Sequence, residues 1–157
     1  MHVFYLSLGS NLGFPKFNLN KAIALLGQES IDVLAVSRFY YSKPMGPSQN
    51  NFYNLVCRCL SSFSPLDILE CVKNIEKVMG RARSLKWGPR LIDIDIIYCC
   101  GQDIDSDILV IPHAGCWERL FVLHPWLDVV EGEVLRTKIN KALLLNRCRD
   151  IGSGWFC

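Results

Sequence analysis

The sequence predicts one globular domain in which strands and helices are interleaved, and three observations carry that expectation. Runs of alternating or continuous apolar residues, bounded by glycine, proline and asparagine, read as strands at Val3 to Leu8, Ile31 to Tyr41, Tyr53 to Ser62 and Leu91 to Cys99. Two intervening segments repeat apolar residues at helical spacing behind a proline. The chain has 157 residues, half of them hydrophobic and a fifth charged, which suits one sizeable core and is too short for two ordinary domains.

Each element has its own signal. The first strand is closed by the turn-formers Gly9, Ser10 and Asn11. Pro15 opens a helix with Leu19, Ala22, Ile23 and Leu26 on one stripe, and Gly27 supplies its stop. In the second strand Val33, Ala35, Phe39 and Tyr41 share one face, with Arg38 and Tyr40 on the other. In the third, Leu55, Cys57 and Cys59 oppose Asn54, Val56 and Arg58. Ser64 and Pro65 read as N-cap and first residue of the next helix, Asp67 adds charge where the dipole favours it, and Gly80 ends it. Glu76 then falls in the last turn, where the dipole does not favour a carboxylate, and a local rule broken near a candidate site points to function. Ile104 to Ile111 can hold a short strand interrupted by aspartates, and Phe121, Val122 and Leu123 read as core of a short helix or turn. From Glu133 a helical spacing of Leu135, Ile139, Ala142 and Leu143 gives way to a tail, Arg147 to Cys157, without clear pattern, in which Trp155 and Phe156 could dock on the body.

The fourth strand carries the chemistry. Asp93 and Asp95 lie on one face of an otherwise apolar run while Ile92, Ile94, Ile96 and Tyr98 line the other. Two carboxylates this close repel unless a cation or a shared proton sits between them. Magnesium answers that need, because it takes one or two protein carboxylates and fills its other positions with water and substrate phosphate. Ion pairing of the two aspartates with Arg90 or Arg83 answers it equally well, and spacing does not choose between the two.

Two long loops flank this strand in the sequence. Ser42 to Phe52, with two prolines, a glycine and small polar residues, exceeds the usual hairpin length of roughly 2–5 residues and reads as a lid or a linker. Gly80 to Arg90 carries four basic residues and one tryptophan and runs directly into the aspartates. Guanidinium groups suit phosphate oxygens, and a metal on paired carboxylates suits the same oxygens from the other side. Neither a P-loop nor a dinucleotide-binding glycine motif occurs.

The remaining composition excludes several classes. A net charge of +2 does not by itself imply a nucleic-acid partner, and no RNP-type run is present. The eight cysteines form no C-x-x-C pair, so most read as buried fillers in a reducing compartment. Without a signal-like N-terminus or a membrane-length apolar run, the expectation is a soluble, cytoplasmic protein with no membrane partner.

The segments Ser7-Leu-Gly-Ser-Asn-Leu-Gly13, Pro44-Met-Gly-Pro47, Phe52-Tyr-Asn54, Glu76 with Gly80-Arg-Ala-Arg83, Trp87-Gly-Pro-Arg-Leu-Ile-Asp-Ile-Asp95, and Ile111-Pro-His113 with Arg119 and Phe121 together resemble the 6-hydroxymethyl-7,8-dihydropterin pyrophosphokinases of folate biosynthesis. The likeness runs in order from about Val3 to Val129. It implies an α+β fold, a ferredoxin-like α/β/α sandwich with a mainly antiparallel sheet, filling residues 1–157 as one domain. It also implies transfer of pyrophosphate from ATP to the pterin hydroxymethyl group with release of AMP.

By the same resemblance, two Mg²⁺ ions are held by Asp93 and Asp95. Arg81, Arg83, Arg90, Asp93 and Asp95 are catalytic, and Glu76, Lys86, Trp87, Arg90, Ile96, His113 and Arg119 bind ATP. Ser42, Pro44, Met45, Phe52, Asn54, Asp95 and Phe121 bind the pterin, stacked between the two phenylalanines and read along its edge by Asn54. The partners expected are small molecules, with no nucleic acid, and fusion to another folate-pathway enzyme stays open. A small-molecule sensing domain of the same fold would need neither Asp93 nor the basic loop.

Overall fold

The computed structural model describes residues 1–45, 49–80 and 88–149, with side chains up to Asn146. Its elements are β1 (His2–Ser10), α1 (Pro15–Gln28), β2 (Asp32–Val36), β3 (Tyr40–Ser42), β4 (Phe52–Ser61), α2 (Pro65–Val78), β5 (Asp93–Cys99), β6 (Ile104–Asp105), β7 (Val110–Ile111), α3 (Leu120–Val129) and α4 (Glu133–Arg149). The main sheet runs β2-β4-β1-β5, with β3 also paired to β4 and every pairing antiparallel. The order β1-α1-β2-β4-α2-β5 on that sheet is the ferredoxin-like arrangement of two split βαβ units.

Alternation along the strands builds the two helical layers. Phe4, Leu6 and Leu8 of β1 and Leu55, Cys57 and Cys59 of β4 pack with Leu19, Ala22 and Leu26 of α1 and Ile68, Val72 and Ile75 of α2. On the opposite face Tyr5, Val56 and Ile97 pack under Val122, Leu123 and Trp126 of α3 and Leu135 and Ile139 of α4. Each fully buried aliphatic side chain in these layers contributes about 1.5–3 kcal/mol. α2 starts where expected: Ser64 accepts the Asp67 N–H, Asp67 accepts the Ser64 N–H, and Pro65 follows the cap.

Several expectations need correction. The second strand is broken between Val36 and Tyr40, because the Ser37 hydroxyl takes the Val56 N–H at 2.9 Å in place of a ladder carbonyl. A bulge between Val33 and Ala35 sends those residues to opposite layers. A second bulge sets Ile97 beside Tyr98 opposite Tyr5, so Tyr98 packs with Ile97 instead of with Ile94 and Ile96. β1 continues through Gly9 and Ser10, α1 continues past Gly27, and 104–111 forms a hairpin of two-residue strands. α3 is a ten-residue helix and α4 reaches Arg149. Trp155 and Phe156 lie outside the described residues.

Candidate active site

One face of the sheet changes character along its length. The side chains that follow Tyr5, Val56 and Ile97 toward the other end of that face are Ser7 and Gly9 on β1, Asn54 on β4, and Asp95 and Asp93 on β5. Gly9 stands opposite Asn54 on one side and Asp93 on the other, and Ser7 stands opposite Asp95. All five line a cavity of about 270 Å³, walled by Ser42, Met45, Phe52, Arg90, His113, Arg119 and Phe121. A Cβ on Gly9 would lie 3.2 Å from Asn54 Oδ1 and 3.7 Å from the Phe52 ring, so the glycine keeps this floor flat.

The aspartates, both partly exposed, are not equivalent. Arg90 Nη1 donates to Asp93 Oδ2 at 2.5 Å, as the ion-pair reading expects. Asp95 has no hydrogen-bond partner among the described residues, and burial followed by the neighbouring Asp93 carboxylate pushes its pKa up. The described residues hold no cluster of three or more His, Cys, Asp and Glu side chains suited to a metal. Two adjacent carboxylates, one of them without a hydrogen-bonded partner among the described residues, fit magnesium that takes its other ligands from water and phosphate.

Glu76, expected to bind ATP, lines neither this cavity nor its neighbour. It is 3% exposed, accepts the Ile94 N–H at 2.7 Å with Oε1, and pairs with Lys73 Nζ at 3.1 Å through Oε2. Ile94 lies between the two aspartates on the edge strand β5, so this buried carboxylate supplies the acceptor that a further strand would otherwise provide.

The bulge at Ile97 helps seat the basic wall. Its carbonyl accepts the His113 N–H at 3.0 Å, which holds 112–113 against β5 near Asp95. The Gly115 N–H donates to His113 Nδ1 at 3.1 Å, leaving Nε2–H as the ring's remaining donor. Arg119 is the N-terminal flanking residue of α3, and Phe121 sits in the helix's first turn. A second cavity of about 300 Å³ shares Asp95 and His113 with the first and is lined also by Ile96, Lys73 and Ile108.

On the other side, Asn54 Nδ2 donates to Ser42 Oγ at 2.8 Å, fixing the amide at 4% exposure. Phe52 and Phe121 both face this space; Ser42 and Met45 line it and Pro44 between them does not. The expected Arg81, Arg83, Lys86 and Trp87 fall outside the described residues.

Sequence reasoning did not single out Lys43, Gly88, Ser7 or Gly9 as individual lining residues, nor Lys73 in the second cavity. It also missed Asn11, which accepts the Arg90 N–H at 2.7 Å, donates its own N–H to the Arg90 carbonyl at 3.0 Å, and donates Nδ2 to Asn50 O at 2.9 Å.

The family described as 7,8-dihydro-6-hydroxymethylpterin-pyrophosphokinase (HPPK) matches residues 5–131. The 2-amino-4-hydroxy-6-hydroxymethyldihydropteridine pyrophosphokinase of Bacillus subtilis (strain 168) is 36% identical over 132 residues, covering 83% of this chain and 79% of that protein. Bifunctional protein FolKE of Lactococcus lactis subsp. cremoris (strain MG1363) is 38% identical over 135 residues, 85% of this chain and 39% of its own length. The chain thus spans about two fifths of such bifunctional relatives. The crystal structure of Plasmodium falciparum HPPK-DHPS wild type with SDX-DHP shares the fold at a TM-score of 0.69 and 16% identity, over 96% of this chain and 44% of that one.

Proposed function

Because this chain belongs to the 7,8-dihydro-6-hydroxymethylpterin-pyrophosphokinase family, we propose that it transfers pyrophosphate from ATP to the hydroxymethyl group of 6-hydroxymethyl-7,8-dihydropterin. The hydroxymethyl oxygen bonds to the β-phosphorus as its proton is released to solvent, the bond from that phosphorus to the α,β-bridging oxygen breaks, and AMP leaves. The observation that carries this reading is the convergence of paired carboxylates, basic groups and an aromatic, amide-bearing slot on one cavity.

Asp93 and Asp95 would hold two magnesium ions, which when bound supply charge neutralisation to the triphosphate. Arg90, His113 and Arg119 donate to phosphate oxygens, a task suited to guanidinium forks and to an imidazole N–H. Phe52 and Phe121 flank the flat pterin while Asn54, held by Ser42, reads its polar edge. Phosphoryl-type transfer needs little covalent help from protein, so alignment and electrostatics dominate. Arg81 and Arg83 add cationic charge to the reacting phosphates in this reading.

The setting proposed is a reducing cytoplasm. Six described cysteines are free, and Cys57, Cys59, Cys99 and Cys116 are buried as small apolar fillers. Among the described residues no helix is long and apolar enough to cross a membrane. Several relatives are bifunctional by name, and a folate-pathway enzyme joined to or working beside this chain belongs to the same proposal.

The test is nucleotide analysis of a reaction containing the chain, ATP, Mg²⁺ and the dihydropterin. AMP and the pyrophosphorylated pterin are expected together, and only when all components are present. ADP in place of AMP, or AMP release without pterin, overturns the reading.

A further inference from the structure

The turn between β7 and α3 contains a contact that the catalytic reading does not use. A Cβ built on Gly115 would fall 2.6 Å from Arg119 Nε, 2.8 Å from Cζ and 3.0 Å from Nη2. The Arg119 guanidinium therefore lies against the bare α-carbon of Gly115, at a separation no other residue type permits. Gly115 is not in the left-handed region, so backbone conformation alone does not require glycine here.

The backbone at Gly115 is the less movable partner. Its N–H donates to His113 Nδ1 at 3.1 Å, its carbonyl accepts the Glu118 N–H at 3.3 Å, and the next N–H, of Cys116, reaches the His113 carbonyl at 2.9 Å. Cys116 is fully buried beneath α3. Arg119 approaches with the end of a long side chain, which can swing aside by rotamer change. A methyl group at position 115 would accordingly shift the guanidinium and leave the turn in place.

We propose that Gly115 is a positioning residue, the seat that holds the Arg119 guanidinium in the cavity beside His113 and the Asp93–Asp95 pair. The proposal rests on the phosphate-binding role given to Arg119 above. It places a nucleotide-affinity determinant at a residue that itself lies outside the cavity lining. Alanine keeps the N–H that orients His113, so Gly115→Ala moves one wall group and spares the other.

The experiment is a double-variant cycle on Gly115→Ala, Arg119→Ala and the pair, reading Mg-ATP affinity by calorimetry, KM for each substrate, kcat and thermal midpoint. Loss of a charge-assisted arginine contact weakens binding on the order of 10- to 100-fold. Arg119→Ala is expected to weaken nucleotide binding in that range, with Gly115→Ala approaching it, KM for the pterin nearly unchanged and the thermal midpoint close to that of the parent. Adding Gly115→Ala to Arg119→Ala should do nothing more, because the group it displaces is gone.

Multiplying losses in the double variant, or a Gly115→Ala protein that binds nucleotide normally while Arg119→Ala does not, overturn the seat. Normal binding by Arg119→Ala overturns the phosphate role of Arg119 itself, a separate failure. Should Gly115→Ala fold poorly, the double variant decides: recovery of folding assigns the clash to Arg119 as proposed, and no recovery overturns it.

Discussion

Glu76 Oε1 accepts the Ile94 N–H at 2.7 Å from beside the strand segment that carries Asp93 on one side of Ile94 and Asp95 on the other. A carboxylate in the last turn of α2 therefore fixes the backbone between the two acidic groups. Glu76→Ala removes that acceptor and leaves Lys73 without its partner. A loss of about 2–4 kcal/mol in unfolding free energy is expected, against about 1 kcal/mol for Glu76→Gln, which keeps an amide oxygen in reach. Urea unfolding measures both; equal losses would mean that the charge, and not the acceptor, matters at this position.

Asp95→Asn should uncouple stability from catalysis. In the metal-free protein Asp95 is held above its ordinary pKa by burial and by Asp93, so the folded chain keeps that proton to higher pH than the unfolded chain. The stabilisation is complete below the ordinary carboxylate value of about 4 and is lost as pH rises through the raised folded value. Asparagine abolishes this pH dependence and leaves metal-free stability at neutral pH equal to or above the parent's, while turnover falls by at least about 10³-fold. Denaturant midpoints from pH 3 to 7, paired with AMP-release assays, check both halves.

Asn54→Ala addresses the slot. Its amide is held by Ser42 Oγ at 2.8 Å, and removing a fixed polar reader weakens pterin binding roughly 10- to 100-fold. Nucleotide affinity should stay within about twofold. Calorimetric titration with each substrate separately makes the comparison, and parallel losses would take Asn54 out of the pterin contact.

The buried thiols predict alkaline weakness. Burial pushes Cys99 up to about 11 and Cys59 and Cys116 up to about 12, from an ordinary thiol value of 9.0. Above pH 9 the unfolded chain releases protons that the folded chain keeps, so stability declines from there to the folded-state values, by about 1.4 kcal/mol per pH unit for each thiol. Urea midpoints at pH 8, 9 and 10 should fall progressively, and Cys59→Ala should make the decline shallower despite starting lower.

What the sequence made legible was what violates a local pattern. Asp93 and Asp95 stand out because charge interrupts an apolar strand, and Ser64-Pro65 announces α2 because cap chemistry is local. Ile96, Ile97 and Tyr98 are all apolar, so no parity break marks the bulge that moves Tyr98 to the other layer. The interruption at Ser37 depends on a hydroxyl reaching an N–H nineteen residues away, which alternation does not encode. Asn11 was invisible for the same reason: its partners on Arg90 and Asn50 are distant in sequence. Glu76 was flagged by its unfavourable place in the helix, but its partner on β5 only tertiary structure could supply.

Gly9 is the middle rung between Asn54 and Asp93 on three neighbouring strands. Adjacent strands lie about 4.8 Å apart, so the Asn54 amide and the acidic pair are separated by two such steps, close to 10 Å of backbone ladder. In the proposed reaction the sheet acts as a ruler for the acceptor, and a compound with a longer or shorter arm between its heterocycle and its hydroxyl would meet one end and miss the other. Exchanging wall side chains would alter grip without changing that gauge.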